Sequence, residues 1–129
     1  MNNQVIVVDD HPSVRLAVSA LLRDEGYTIV AESDNGEDVL ELVQRLKPSW
    51  LILDLGLPGL DGFGVIKQIT DLRLPVSIIV LSSETARHVV IRCQEMGARG
   101  FVSKQDNMSE LLNAISAVKS SGAYFAHLV

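Results

Sequence analysis

The 129-residue sequence lacks several features that mark whole classes of protein. Cys93 is its one cysteine, so an internal disulfide is excluded and a reducing, cytoplasmic setting is indicated. No apolar run approaches the roughly 20 residues of a membrane span. No basic amino-terminal region of the kind that marks a secretory signal precedes the first apolar run. We therefore expect a soluble, cytoplasmic protein that binds no membrane.

Positive charge is also scarce. The 11 Lys and Arg residues are outnumbered by 16 Asp and Glu residues, which gives a net charge of −5, and the basic residues do not cluster. Nucleic-acid binding normally requires a basic patch. The small group Arg87, His88 and Arg92 is interpreted as a solvated helix face. The sequence therefore predicts that this segment binds no nucleic acid itself.

What the sequence does contain is a regular alternation of two patterns. Short apolar runs, which are typical of buried strands, alternate with segments of helical spacing, which predict a helix after each strand. Parallel strands need crossover helices, so strict alternation indicates a doubly wound α/β domain with a five-stranded parallel sheet covered on both faces. The predicted strands span residues 5–8, 27–32, 50–53, 77–81 and 100–102.

Polar side chains follow four of the five predicted strands. Asp9 and Asp10 follow the first strand, Asp54 the third, Ser82 the fourth and Lys104 the fifth. Because the carboxyl ends of parallel strands share one edge, we expect these residues to converge. Three carboxylates repel one another, so the cluster should raise a pKa or bind a divalent cation, and oxygen ligands favour Mg²⁺. The hydroxyl and the ammonium would complete a pocket for a phosphoryl group.

These residues resemble the motifs of a known family. Over residues 4–125 the chain resembles a response-regulator receiver domain of two-component signalling. The stretches 9–15 and 97–104 further resemble NarL/FixJ-type regulators, especially the BvgA/EvgA-like branch. The resemblance implies a flavodoxin-like (βα)5 fold with strand order 2-1-3-4-5. The residues that carry it are Asp9-Asp10, Asp54-x-x-x-Pro58-x-x-Asp61-Gly62, Ser82-Ser83 and Gly100-Phe101-x-x-Lys104.

The resemblance also implies a role for each site residue. Asp54 is expected to accept a phosphoryl group from a sensor histidine kinase or a histidine phosphotransfer protein, as carboxylate nucleophiles can. Asp10, Asp54 and the backbone carbonyl of Gly56 would bind Mg²⁺ directly, with Asp9 acting through water, and Mn²⁺ could substitute. Such a domain catalyses its own phosphorylation and dephosphorylation and is not a turnover enzyme.

The expected response is a population shift between two conformations. Lys104 and Ser82 would hold phosphoryl oxygens, and the inward movement of Ser82 would let Phe101 turn toward the vacated space. Activation would produce a homodimer through the first and fifth helices or through the fourth and fifth. We expect a receiver domain at residues 1–122. Residues 123–129 would begin a linker to a C-terminal helix-turn-helix domain that binds DNA and controls transcription.

Several alternatives remain open at this point. Asp10 and Ser82 could each cap a helix, and His11 is interpreted as a surface or cap residue and not as a metal ligand. A haloacid-dehalogenase-like phosphatase would usually carry a second Asp where Gly56 stands. A nucleotide-binding module would need a glycine-rich phosphate loop, which does not follow the first strand. A stand-alone receiver or one that works without phosphorylation is also possible, and Gly56 leaves the phosphoryl lifetime open.

Overall fold

The computed structural model describes residues 1–128 and shows five strands, each followed by a helix. This confirms the predicted alternation. The strands are β1 (Gln4–Val8), β2 (Thr28–Ser33), β3 (Trp50–Leu53), β4 (Ser77–Ser82) and β5 (Gly100–Ser103). The helices are α1 (Pro12–Asp24), α2 (Val39–Leu46), α3 (Gly62–Asp71), α4 (Arg87–Met96) and α5 (Glu110–Ser121), and a short 3-10 helix spans Ala126–Leu128.

All strand pairs are parallel, and their order is β2-β1-β3-β4-β5, which confirms the expected topology. The register aligns the last residues of neighbouring strands, since Val8 lies beside Leu53 and Ser82 beside Ser103. Side chains that follow these strands are thereby brought to one edge of the sheet.

The pairing of β1 with β2 contains one irregularity. Val5 lies beside Ile29, whereas the next residue, Ile6, lies beside Ala31. Val30 is thus an extra residue in β2, the outer strand on this side of the sheet. An inserted residue of this kind bends an edge strand and increases its twist.

Helices cover both faces of the sheet and create two apolar clusters. One lies beneath α2, α3 and α4, and the other beneath α1 and α5. The four residues of β3 are all buried, as expected for the central strand of a parallel sheet. Cys93 is buried in the first cluster, and this burial raises the pKa of its thiol to about 11.

The helix starts differ in detail from the alternatives left open by the sequence. Pro12 is the first residue of α1, as Pro often is, because it has no N–H that would need a partner. His11 occupies the capping position before it, and α1 has no side-chain cap. Ala86 precedes α4, which also lacks one. Neither Asp10 nor Ser82 therefore serves as a helix cap.

After α5 the chain turns back to the sheet. Gly122 ends this helix with a φ of 90°, a left-handed conformation that favours glycine. Tyr124 then pairs in parallel with Gly100, and Phe125 and Leu128 pack against the first apolar cluster. The predicted linker starts within this segment, and its last residue, Val129, lies outside the described residues.

Within residues 1–128, none of the helices has both the length and the apolar character required to cross a membrane.

Candidate functional site

The carboxyl end of the sheet brings Asp9, Asp10, Asp54 and Lys104 together. Backbone hydrogen bonds continue past the strand ends and fix where these residues lie. The N–H of Asp54 donates to the carbonyl of Val8 (2.9 Å), and the N–H of Lys104 donates to the carbonyl of Ser82 (2.9 Å). The convergence predicted from the alternation of strands and helices is therefore present in the structure.

A lysine lies between the two buried carboxylates of the site. Lys104 Nζ is 2.7 Å from Asp9 Oδ2 and 3.4 Å from Asp54 Oδ2. Asp9 is only 2% exposed and Asp54 5% exposed. Buried charges are costly unless they are paired, and the single ammonium offsets part of the negative charge of both acids.

The pKa of Asp54 lies above its ordinary value. Burial is the main cause, because it disfavours the ionised carboxylate, and the negative charge of Asp9 acts in the same direction. Lys104 opposes the rise, as does the N–H of Gly56, which donates to Asp54 Oδ1 (3.3 Å). A cation entering beside Asp54 would therefore relieve an unfavourable accumulation of negative charge.

His11 also belongs to this cluster, although it was predicted from the sequence to be a surface or cap residue. It is exposed and occupies the capping position of α1, yet its Nδ1 lies 2.8 Å from Asp9 Oδ1 and 3.1 Å from Asp10 Oδ1. The same atom is 3.4 Å from Lys104 Nζ. Spacing along the chain gave no sign of these contacts, since only the position of His11 next to Asp10 linked it to the site.

The donor atoms fit a divalent cation. Ligand atoms from Asp9, Asp10, His11 and Asp54 all lie within 4.8 Å of one another. Asp9 and Asp54 are buried, whereas Asp10 is exposed, so the cluster has one protected side and one that opens to solvent. A set dominated by carboxylate oxygens suits a hard ion such as Mg²⁺, which usually retains several waters.

A cavity of about 330 Å³ lies directly over Asp54. Its walls include Lys104, Ser82 and Gly56. A Cβ added to Gly56 would meet nothing within 4 Å, so the space above the carboxylate is unobstructed on this side. The cavity therefore presents a carboxylate, an ammonium and free volume to an incoming group.

Comparison with known proteins identifies the family and the fold. The response regulator receiver domain family matches residues 5–116. The chain belongs to this family. Its relatives include the virulence transcription regulator BvgA of Bordetella pertussis, which is 40% identical over 125 residues that make up 97% of this chain and 60% of BvgA. The DNA-binding transcriptional activator EvgA of Escherichia coli K12 is 33% identical over 120 residues, 93% of this chain and 59% of EvgA.

Solved structures agree with this assignment. The receiver domain of RcsB from Salmonella enterica serovar Typhimurium, determined in the presence of the phosphomimetic BeF3⁻, superposes with a TM-score of 0.89 at 26% identity and covers 99% of this chain and 96% of that domain. A second RcsB structure contains two dimers bound to DNA, and there the match covers 99% of this chain and 66% of RcsB (TM-score 0.89, 26% identity). The chain spans about 60% of the length of BvgA and EvgA.

Two residues expected to act as switches in this receiver domain lie in different surroundings. The hydroxyl of Ser82 donates to the carbonyl of Glu84 (3.2 Å) and accepts from its N–H (3.0 Å), so it is engaged by its own loop. Phe101 is fully buried in the apolar cluster beneath α4. The aromatic ring therefore lies inside the core while the hydroxyl still bonds to its own loop.

Glycines permit the close packing of the loops that support Asp54. A Cβ on Gly62, the first residue of α3, would lie 2.6 Å from the carbonyl oxygen of Asp54. A Cβ on Gly36 would lie 1.8 Å from the carbonyl oxygen of Leu60, so the β2–α2 loop packs directly on the backbone of the β3–α3 loop. The Asn35-Gly36 pair in the sequence is typical of a turn, but this local pattern does not show which other loop Gly36 contacts.

Proposed function

We propose that this receiver domain is a phosphorylation-dependent switch in which Asp54 accepts a phosphoryl group from a sensor histidine kinase or a histidine phosphotransfer protein. The observation that carries this proposal is the position of Asp54 beneath an open cavity, with Lys104 Nζ 3.4 Å away. Membership of the receiver family supports the same reaction.

The chain's own residues have distinct tasks in this reaction. A carboxylate oxygen of Asp54 forms a bond to phosphorus while the bond from phosphorus to the donor's histidine nitrogen breaks, and the electron pair of that bond remains on the nitrogen. Lys104 offsets the charge of the phosphoryl oxygens, because its ammonium already lies between Asp54 and Asp9. Asp9 in turn holds the ammonium in place. The domain performs this chemistry upon itself and is not a turnover enzyme.

A divalent cation is part of the proposed reaction. Asp10, Asp54 and the backbone carbonyl of Gly56 would hold Mg²⁺, with Asp9 acting through water, and Mn²⁺ could replace it. The clustering of ligand atoms from Asp9, Asp10 and Asp54 supports this set. When bound, the cation would neutralise negative charge shared by the carboxylates and the phosphoryl oxygens.

The output of the switch is proposed to be transcription. Phosphorylation would draw the Ser82 hydroxyl away from Glu84 toward the phosphoryl group and would favour the buried position of Phe101. Residues 1–122 would form the receiver domain, and residues 123–129 would lead to a DNA-binding domain, as the names of BvgA and EvgA suggest. The RcsB dimers on DNA support a homodimer as the active form in the cytoplasm, with DNA bound outside this segment.

Intact-mass spectrometry tests the central step. The chain is incubated with acetyl phosphate, with and without Mg²⁺, beside the variants Asp54→Ala and Asp71→Ala. Asp71 is a matched control, because it is an exposed aspartate paired with Lys67 on α3. We expect one phosphoryl adduct, stable in acid and labile in base, on the wild type and on Asp71→Ala only. An adduct on Asp54→Ala would contradict the proposal. A folded wild type with neither an adduct nor beryllofluoride binding would also contradict it.

A further inference from the structure

The segment that follows α5 returns to the sheet and occupies part of its open edge. We call residues 123–128 the return segment. The N–H of Tyr124 donates to the carbonyl of Arg99 (2.9 Å), and the N–H of Phe101 donates to the carbonyl of Tyr124 (2.9 Å). β5 is the outer strand on this side, so these bonds satisfy backbone groups that face away from β4. The return segment is therefore bound through the backbone of the strand that carries Phe101.

Contacts with two helices hold the return segment on either side of this bridge. The Tyr124 hydroxyl donates to the carboxylate of Glu110, the first residue of α5. Arg87, the first residue of α4, donates from Nη1 to the carbonyl of Leu128 (3.3 Å). The segment thus bonds to α4, β5 and α5.

Apolar packing connects the return segment to the switch aromatic. Phe125 and Leu128 pack against the same cluster in which the ring of Phe101 is fully buried. A Phe101 ring that turned out of the core toward this edge would compete for space with Phe125 and Leu128. The docked segment and the buried ring are therefore mutually supporting, since each occupies the position that leaves room for the other.

Phe101 is also connected to the acidic site. Its strand pairs with β4, where Val80 lies beside Phe101 and Ser82 beside Ser103. Lys104 comes directly after Ser103, the last residue of β5, and its N–H donates to the carbonyl of Ser82. A movement of Ser82 or Lys104 toward a phosphoryl group is thereby transmitted along β5 to the residue that binds Tyr124.

We infer that the surface formed by α4, β5 and α5 is a docking site for the return segment of this same chain, and that occupancy of the Asp54 site strengthens this docking. The inference rests on the proposed function, because it assigns a consequence to phosphorylation of Asp54. Coupling between two sites is reciprocal, so the docked segment should also strengthen binding at Asp54. The strength with which the return segment docks would then depend on whether the Asp54 site is occupied.

Amide hydrogen exchange followed by NMR measures the docking directly, because the N–H groups of Phe101 and Tyr124 form the two bonds of the bridge. The 129-residue chain is compared in Mg²⁺ alone and in Mg²⁺ with beryllofluoride, a mimic of the phosphoryl group. We expect exchange at both amides to slow by at least about fivefold when the mimic binds, the lower end of typical coupling between sites. Unchanged or faster exchange with the mimic bound would overturn the inference.

Variants test the reciprocal effect and separate the two proposals. Phe125→Ala removes packing from the segment and should weaken beryllofluoride binding by about fivefold or more. Tyr124→Phe removes only the hydroxyl group that donates to Glu110, and it should also weaken beryllofluoride binding. This variant replaces Phe125→Ala as the test if Phe125→Ala does not fold. Leu72→Ala is the control, because it truncates a half-exposed apolar residue after α3 and should leave binding unchanged.

The outcomes are distinguishable. Unaltered binding in both folded variants would overturn the coupling while leaving phosphorylation of Asp54 intact. Failure of the wild type to bind the mimic, with Asp54→Asn as the reference for no binding, would overturn the proposed function and the coupling together.

Discussion

The two ends of the parallel sheet differ in both chemistry and cavity size. At the carboxyl end, Asp54 lies below a cavity of about 330 Å³ among charged side chains. At the amino end, a cavity of about 670 Å³ is twice as large. Its lining is mainly apolar or neutral, and Lys47 is the charged side chain among the described residues that line it. The larger cavity is thus the one with fewer charged groups, so cavity size alone does not mark the candidate site.

The physical reason for the difference lies in where the polar residues can be placed. The strands β1, β3, β4 and β5 are buried almost throughout, so the charged side chains near them lie in the loops that follow or precede them. Here they follow the strands, where Asp9 and Asp54 share the ammonium of Lys104. At the opposite end, neutral side chains provide hydrogen-bond partners for the backbone. The N–H of Ser49, for example, donates to Asn2 Oδ1 (3.0 Å).

The largest effect is expected from removing the charge at the carboxyl end. Lys104→Met leaves two buried carboxylates without their ammonium, which should lower the free energy of unfolding by about 3 kcal/mol in metal-free solution. Urea unfolding measures it, and added Mg²⁺ should restore most of the loss because the cation supplies positive charge. Lys67→Met is the control, since Lys67 pairs with Asp71 at 2.8 Å on an exposed helix face. Equal losses in the two variants would show that the buried ion pairs of Lys104 stabilise the protein no more than the exposed pair of Lys67 and Asp71.

A smaller effect is expected at the amino end. Val43 is 3% exposed and lines the larger cavity, so Val43→Ala removes packing without disturbing any charge. We expect a loss of about 2 kcal/mol in the free energy of unfolding, the usual cost of deleting buried methyl groups. The rate of phosphorylation by acetyl phosphate should stay within about twofold of the wild type at a temperature where both are folded. A large loss of rate would show that packing at the amino end of the sheet affects the reaction at Asp54.

The smallest expected effect is a gain in the free energy of unfolding, whereas the two effects above are losses. The pKa of Asp54 in the folded protein is raised above the reference value of 3.8, so the folded state binds this proton more tightly than the unfolded state. Its contribution to stability is complete below pH 3.8 and is lost as the pH rises through the folded-state pKa. At neutral pH, Asp54→Asn should therefore stabilise the metal-free protein, by on the order of 1 kcal/mol.

Thermal unfolding over a pH series checks this expectation. The difference between Asp54→Asn and the wild type should shrink as the solution is acidified toward pH 3.8, and it should also shrink when Mg²⁺ stabilises the wild type. A variant that is less stable than the metal-free wild type at neutral pH would show that Lys104 outweighs burial and Asp9 at this position.

The strands, helices and most of the acidic site could be predicted from the sequence. Apolar runs with turn residues between them fix the alternation, and alternation places Asp9, Asp54 and Lys104 at one edge whatever the details of packing. This inference holds because parallel strands joined by crossover helices all end at the same edge of the sheet. The order of the strands within the sheet was implied by the family resemblance. The resemblance of the motifs then identified the family.

Other features depend on contacts that no local pattern encodes. His11 reaches Asp9 and Asp10 only because α1 begins at Pro12 and turns the imidazole back over the cluster. Ser82 bonds to Glu84 because the β4–α4 loop delays the start of α4 until Arg87. The pairing of Tyr124 with Gly100 involves a single residue, which is too short to produce a strand pattern.

The shifted register between β1 and β2 makes the β2 edge of the sheet less regular. An open edge strand invites another chain to extend the sheet, and repeated extension produces fibres. Here Val30 is an extra residue that interrupts the pairing register of β2, and Glu32 adds an exposed charge to the same edge, while Tyr124 occupies part of the β5 edge. Both borders of the sheet are thus poor templates for a further strand.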